Sequence, residues 1–219
     1  MKIIILILAN DSGIYLECQK LWTSYMNLHP NIKSYFIKLD SQIKNDILLD
    51  NNTIFIKGNE SIIPGCLIKT ITSINYLLKH EEFDYIFRTN MSSVVNLNEL
   101  YKFIINNKND YSGFIGNCNN INYASGAGIL LSKKMCYTLI ENKNLLDYNL
   151  IDDVSIGQLL KKNNVSIFSL KRFEVYSYEN NINQITKEMI SNFYHFRCKS
   201  NNNDLNTILL MKTIINLIY

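Results

Sequence analysis

The apolar and polar positions of the chain alternate between two periods, one fitting strands and one fitting helices. Ile3 to Leu8 is uninterruptedly apolar, as expected of a strand buried on both faces. The polar turn Asn10 to Gly13 then leads into a helix through Leu16, Leu21 and Tyr25. Pro30 and Asn31 break the chain before a second strand, Lys33 to Leu39, and Thr53 to Lys57 forms a short third one. Pro64-Gly65 opens a helix whose Leu67, Ile71, Ile74 and Leu78 fall on one face. Tyr85 to Phe87 is again a buried strand, turning abruptly polar at Arg88-Thr89-Asn90-Met91-Ser92-Ser93, and a helix follows from Leu97 to Asn106. Tyr111 to Gly116 and Gly128 to Leu131 predict further strands around a loop, Asn117 to Ser125. Lys133 to Glu141 and Val154 to Lys162 predict helices, and Val165 to Leu170 a last strand. The tail from Leu205 to Tyr219 carries an apolar stripe through Leu209, Ile214, Ile215 and Ile218 and predicts a helix docked on the core. Such alternation predicts one α/β domain over residues 1–219, three-layer α/β/α with a mostly parallel central sheet.

Composition narrows the setting. With 219 residues, 47% hydrophobic and 19% charged, the chain can bury a sizeable core. Lys plus Arg total 22 against 19 Asp plus Glu, a net charge of +3. That is too mild for nucleic-acid binding, and no Arg-rich run supports it. The five cysteines (Cys18, Cys66, Cys118, Cys136, Cys198) are scattered, with no C-x-x-C pair. They outline neither a zinc site nor a disulfide framework, and imply a reducing compartment. The apolar start behind Lys2 lacks a small-residue cleavage pattern and runs into Asn10-Asp11-Ser12-Gly13. It reads as a first strand, not a signal or anchor, so a cytoplasmic location is expected. No stretch is long enough to span a membrane. Asn, Ile, Lys and Tyr are heavily used, a bias of genome composition that leaves the many Asn-x-Ser/Thr matches little weight.

Four stretches carry candidate chemistry. In an open α/β sheet ligands bind beyond the carboxyl ends of strands, which singles out Arg88 to Ser93. Tyr123-Ala124-Ser125-Gly126-Ala127-Gly128 puts paired glycines before a strand, where backbone can approach a ligand closely or make a tight bend. Asp152-Asp153 stands at a helix start, where acids favour the helix dipole. There one carboxylate could take a proton from a substrate hydroxyl while its neighbour holds the loop through backbone amides. His195, Arg197 and Lys199 alternate, so in an extended segment they point the same way, an arrangement that suits a diphosphate.

Together these stretches resemble the fringe and beta-1,3-galactosyltransferase superfamily. Phe83-Asp84-Tyr85-Ile86-Phe87-Arg88-Thr89-Asn90-Met91-Ser92-Ser93-Val94-Val95-Asn96 is similar to its D-[YF]-[LI]-x-K-T-D-D-D-V-[FY]-V-N segment. Tyr123 to Gly128 resembles its Y-[CP]-x-[GS]-x-G segment, and Asp152 to Gly157 its E-D-V-x-[VL]-G box; His195 falls where that family has a late histidine. The likeness spans about residues 3 to 199 and is nearest to the short fringe-like proteins of giant DNA viruses, which would place the chain in host cytoplasm. It implies a GT-A fold that moves a sugar from a nucleotide-sugar donor to a hydroxyl of a glycan, protein or lipid, with inversion. It further implies Asp153 as base, Ser125, Gly126, Ala127, Gly128 and Asp152 as the wall between donor and acceptor, and His195 beside the donor.

One departure matters. Where the family has the D-x-D that holds a divalent metal, this chain has Asn90-Met91-Ser92. An amide and a hydroxyl carry no charge and hold a hard cation weakly. Any Mn²⁺ or Mg²⁺ would therefore be weakly bound, with Asn90, Ser92 and His195 around it. Arg88, Lys69, Arg197 and Lys199 are the cations available instead to stabilise the leaving diphosphate. The rival reading is a non-catalytic nucleotide-sugar or glycan-binding module of the same fold. A nicotinamide- or SAM-binding enzyme lacks support, because only Gly13 stands in the turn after the first strand.

Overall fold

The apolar run at the start is strand β1 (Ile3–Leu8), followed by helix α1 (Tyr15–Asn27) and strand β2 (Lys33–Leu39). A hairpin of β3 (Ile47–Asp50) and β4 (Thr53–Ile56) leads to helix α2 (Gly65–His80). Strands β5 (Tyr85–Asn90) and β6 (Ser93–Val95) come next, then helix α3 (Leu97–Asn107). Strands β7 (Tyr111–Cys118) and β8 (Ile121–Ser132) form a second hairpin, followed by helices α4 (Lys133–Glu141) and α5 (Asp152–Lys162) and strand β9 (Phe168–Ser169). The last elements are β10 (Phe173–Glu174), the short helix α6 (Lys187–Ile190), β11 (His195–Arg197) and helix α7 (Asp204–Ile218). This computed structural model describes residues 1–200 and 204–219. None of the described helices is long and apolar enough to cross a membrane.

The chain falls into two compact units. The first comprises Met1–Asn10, Asn31–Thr89 and Asn109–Leu170. It is built on an eight-stranded sheet in the order β3-β4-β2-β1-β5-β8-β7-β9. The sheet is mostly parallel: β1, β2 and β4 run together, as do β7 and β9, while β3 is antiparallel to β4 and β8 to β5 and β7. Helices α2, α4 and α5 pack on this sheet and on one another. The core joins Ile4 and Leu6 of β1, Ile37 of β2 and Ile54 of β4 to Leu67, Ile71 and Ile74 of α2. It continues through Ile129 and Leu131 of β8 to Ile156 and Leu160 of α5. The mixed α/β class read from the sequence is the class observed.

The second unit comprises Asp11–Pro30, Asn90–Lys108 and Lys171–Tyr219. Its three-stranded sheet has the order β10-β11-β6, with β11 parallel to β10 and antiparallel to β6. Helix α7 packs on α1 and β6. Two side chains of α1 tie into the segment around β6: Trp22 Nε1 donates to the Met91 carbonyl at 3.2 Å, and the Tyr25 hydroxyl to the Val95 carbonyl at 2.6 Å. Asn96 caps α3, its side chain accepting from the Glu99 N–H at 3.2 Å.

The expected strand Val165 to Leu170 shrinks to Phe168–Ser169, and β6, β10, β11 and α6 had no counterpart in the sequence reading. Three further local features differ from it. Strand β5 runs on to Asn90, because Arg88 and Thr89 pair with Ile129 and Gly128 of β8. The expected loop 117–125 is mostly strand, since Asn119 and Asn120 take positive φ of 49° and 62° and reverse the chain in two residues. Strand β3 had no counterpart in the prediction; its partner β4 is reached through Asn51, also at positive φ.

Candidate active site

The first unit holds a cluster built on a bulge of β8. Gly113 of β7 pairs with Ile129 and Ile115 with Ala124, so Phe114 alone stands opposite Ser125, Gly126, Ala127 and Gly128. A bulge removes backbone groups from the ladder, and buried backbone polar groups need partners. Side chains supply them. Arg88 Nη1 donates to the Gly126 carbonyl, and Thr89 Oγ1 donates to the Ala127 carbonyl at 2.7 Å. The Gly126 N–H donates to Asp153 Oδ2 at 2.7 Å, and the Ala124 N–H to the Tyr111 hydroxyl at 2.9 Å. A Cβ on Gly126 would lie 2.7 Å from Arg88 Nη1 and 3.0 Å from Asp153 Oδ2, so only glycine fits here.

The two acids at the start of α5 do different things. Asp152 is buried and its Oδ2 pairs with Arg88 Nη2, whose side chain is 1% exposed. Arg88 is thus committed to the protein, and its buried Nε has no hydrogen-bond partner among the described residues. Asp153 is half-buried and held by backbone: Oδ2 by Gly126, Oδ1 by its neighbour Val154 at 2.9 Å. Burial, and then the Asp152 charge, push the Asp153 carboxyl above the usual carboxylate range, against the pull of the two amides and Arg88. Of the two carboxylates it is Asp153 that accepts from backbone amides. Helix α5 can approach β8 this closely because Gly157 faces Tyr123, where a Cβ would meet the Tyr123 Cβ at 2.5 Å.

The other cations divide between the units. In the first, Lys69 is buried, with Nζ 2.7 Å from Glu60 Oε2 and 3.0 Å from the Ala9 carbonyl. In the second, Lys199 Nζ lies 3.0 Å from Asp204 Oδ1 and over the Tyr15 ring. There too, β11 is extended, so His195 and Arg197 share one face. His195 is buried, opposite Val95, and Arg197 stands opposite Ser93. Arg197 Nη1 donates to Asn90 Oδ1 at 3.2 Å and to Ser92 Oγ at 3.0 Å. Beside it, Arg172 is bound to Glu174 Oε1, through Nε at 2.8 Å and Nη2 at 2.6 Å. Burial, then the Arg172 charge, hold the Arg197 pKa below its ordinary value. Arg172 and Glu174 were not among the residues singled out from the sequence. The adjacent Arg172-Phe173-Glu174 triplet gives no signal until β10 pairs with β11 and sets Glu174 beside Arg197.

No protein-family model matches the chain, and no curated protein matches it in sequence. Solved structures do match. One is a glycosyltransferase involved in the glycosylation of the major capsid of PBCV-1, with TM-score 0.54 and 10% identity, covering 97% of this chain and 99% of that one. Another is the galactosyltransferase LgtC in complex with donor and acceptor sugar analogues, with TM-score 0.48 and 15% identity, covering 97% and 95%. A third is 4-diphosphocytidyl-2C-methyl-D-erythritol synthase from Anaerococcus prevotii, with TM-score 0.47 and 13% identity, covering 77% and 88%. Of the three, the first alone exceeds 0.5 and bears on the fold. The chain has the Rossmann-like GT-A fold.

Proposed function

We propose that this chain is a glycosyltransferase that moves a sugar from a nucleotide-sugar donor to a hydroxyl acceptor, with inversion and with Asp153 as the general base. The observation that carries this reading is the fixed carboxylate of Asp153, held by the Gly126 and Val154 amides beside the buried Arg88–Asp152 pair. A base that must take a proton from a hydroxyl gains from a raised pKa and from a locked orientation. Asp153 has both, whereas the charge of Asp152 is neutralised by Arg88.

In the proposed reaction the acceptor oxygen attacks the anomeric carbon as its proton passes to the Asp153 carboxylate. The bond to the diphosphate breaks on the opposite side and the diphosphate leaves with the electron pair, which inverts the anomeric centre. The fringe-like kinship, the single-domain organisation over residues 1–219 and a cytoplasmic location belong to the same proposal. A single domain is supported by a chain that crosses between the two units repeatedly and by a fold neighbour aligned over 97% of it.

A ligand panel tests this reading. A nucleotide sugar or its nucleoside diphosphate at 100 times its Kd should add about 2.7 kcal/mol to the stability of the folded protein. At least one member of the panel should raise the melting temperature, while NAD and SAM should not. Slow release of nucleoside diphosphate without any acceptor would separate an enzyme from a non-catalytic binding module. Stabilisation by NAD or SAM, with silence across the sugar nucleotides, would contradict the assignment.

A further inference from the structure

Asn90 and Ser92 stand where the resembled D-x-D motif would hold a divalent cation, and the residues present do not fit that ion. Asn90 Oδ1 faces three donors: Arg197 Nη1 at 3.2 Å, Ser92 Oγ at 3.3 Å and Ser93 Oγ at 2.9 Å. An amide oxygen has two lone pairs, so none remains for a metal. Ser92 Oγ, which donates to Asn90, accepts from the same Arg197 nitrogen at 3.0 Å. A divalent ion there would have to displace a guanidinium and then stand beside it and Arg172. The described residues include no cluster of three His, Cys, Asp or Glu side chains able to hold a metal.

The partners of the candidate cations point to what replaces it. Arg88, Lys69 and Lys199 each face a carboxylate, on Asp152, Glu60 and Asp204 respectively. Arg197 differs, because its two hydrogen-bond acceptors among the described residues are a neutral amide and a neutral hydroxyl, which orient the guanidinium without cancelling its charge. The nearby carboxylate, Glu174, is engaged by Arg172. Arg197 is also firmly mounted, on the central strand of the three-stranded sheet, with its neighbours Phe196 and Cys198 fully buried. A planar guanidinium of which only Nη1 has hydrogen-bond acceptors among the described residues matches a pair of phosphate oxygens.

We infer that Arg197 is this chain's built-in replacement for the metal: held by Asn90 and Ser92, it binds the diphosphate of a nucleotide ligand, beside an Arg172 whose own charge is paired with Glu174. Only the identity of the ligand as a nucleotide-sugar diphosphate rests on the proposed glycosyltransferase activity; the anion site and its independence of metal do not.

Calorimetric titration of the whole chain with inorganic pyrophosphate and with UDP, GDP, CDP and ADP, in EDTA and then in Mn²⁺, tests the inference. Pyrophosphate and at least one nucleoside diphosphate should bind with the same Kd, within about twofold, in both buffers. Arg197→Gln should weaken both ligands about tenfold or more, the scale of one lost charge-assisted hydrogen bond. Arg172→Gln and Arg197→Lys, each checked for an unchanged melt, should weaken them less and guard against a folding defect. Electron paramagnetic resonance of Mn²⁺ provides a reading independent of any ligand. Wild type and Asn90→Asp plus Ser92→Asp should leave Mn²⁺ free, whereas adding Arg197→Ala to that pair should create a binding site. Micromolar Mn²⁺ binding by the wild type, loss of pyrophosphate binding in EDTA, or pyrophosphate binding indifferent to Arg197 would each overturn the inference. Arg197-dependent pyrophosphate binding with silence from all nucleotides would leave the anion site standing and count against the glycosyltransferase reading.

Discussion

The backbone N–H of Gly126 donates to Asp153 Oδ2 at 2.7 Å, joining the β8 bulge to the first turn of α5. This bond fixes the carboxylate on which the proposed chemistry turns, and it exists only because the bulge frees Gly126 from the ladder with β7. Gly126→Ala would drive a Cβ to within 2.7 Å of Arg88 Nη1. Arg88 is locked in a buried ion pair and cannot swing aside. The substitution should cost about 1–3 kcal/mol, the usual range for overpacking, read as a lower denaturant midpoint with an unchanged slope.

Arg88 and Asp152 should behave as a unit. Arg88→Met leaves a buried Asp152 carboxylate without its countercharge and the Gly126 carbonyl without its donor, so about 3–5 kcal/mol of stability should be lost. Adding Asp152→Leu removes the stranded charge and should recover part of that loss. A double-mutant cycle from equilibrium denaturation checks this, and additive losses would mean that the two side chains do not interact.

The pH dependence follows from Asp153. Its folded pKa is raised above that of the unfolded chain, so its contribution to stability is fully present below the unfolded carboxylate pKa. That contribution is lost as pH rises through the higher folded value. Asp153→Asn does not titrate, so the melting temperature of the variant minus that of wild type should grow as pH rises through and above the ordinary carboxylate range. A difference that is flat with pH would mean that the carboxyl is not destabilised by its surroundings.

The β7–β8 turn offers a check on the fold. Asn119 and Asn120 both have positive φ, which asparagine tolerates and β-branched residues do not. Asn120→Val should cost about 1–2 kcal/mol, while Asn120→Gly should be neutral or slightly stabilising. Thermal melts of the two variants would show it.

Much of the first unit was legible in the sequence, because β1 and β2 are buried on both faces and read as continuous apolar runs. What escaped were features whose cause lies elsewhere in the chain. Asn51, Asn119 and Asn120 make the hairpin turns, but in a sequence so rich in asparagine they carried no local signal. Ser125 to Gly128 read as a loop or bend because its small residues lack strand propensity; at Gly126 the small size is demanded by Arg88 and Asp153, which fill the space a Cβ would take. Arg88 read as a ligand-binding cation, since nothing local to β5 announces a partner 64 positions later. The Asp152-Asp153 pair was visible as a pair, but the division of work between its members depends on which of them faces Arg88.

The direct test of the central claim is sugar transfer by Asp153→Asn, measured as nucleoside diphosphate release with the best donor found in the panel. The exchange is nearly isosteric but leaves no proton acceptor at neutral pH. Turnover should fall by about two to four orders of magnitude, while affinity for the nucleoside diphosphate stays unchanged. Turnover at the wild-type rate would show that Asp153 is not the base and would contradict the account.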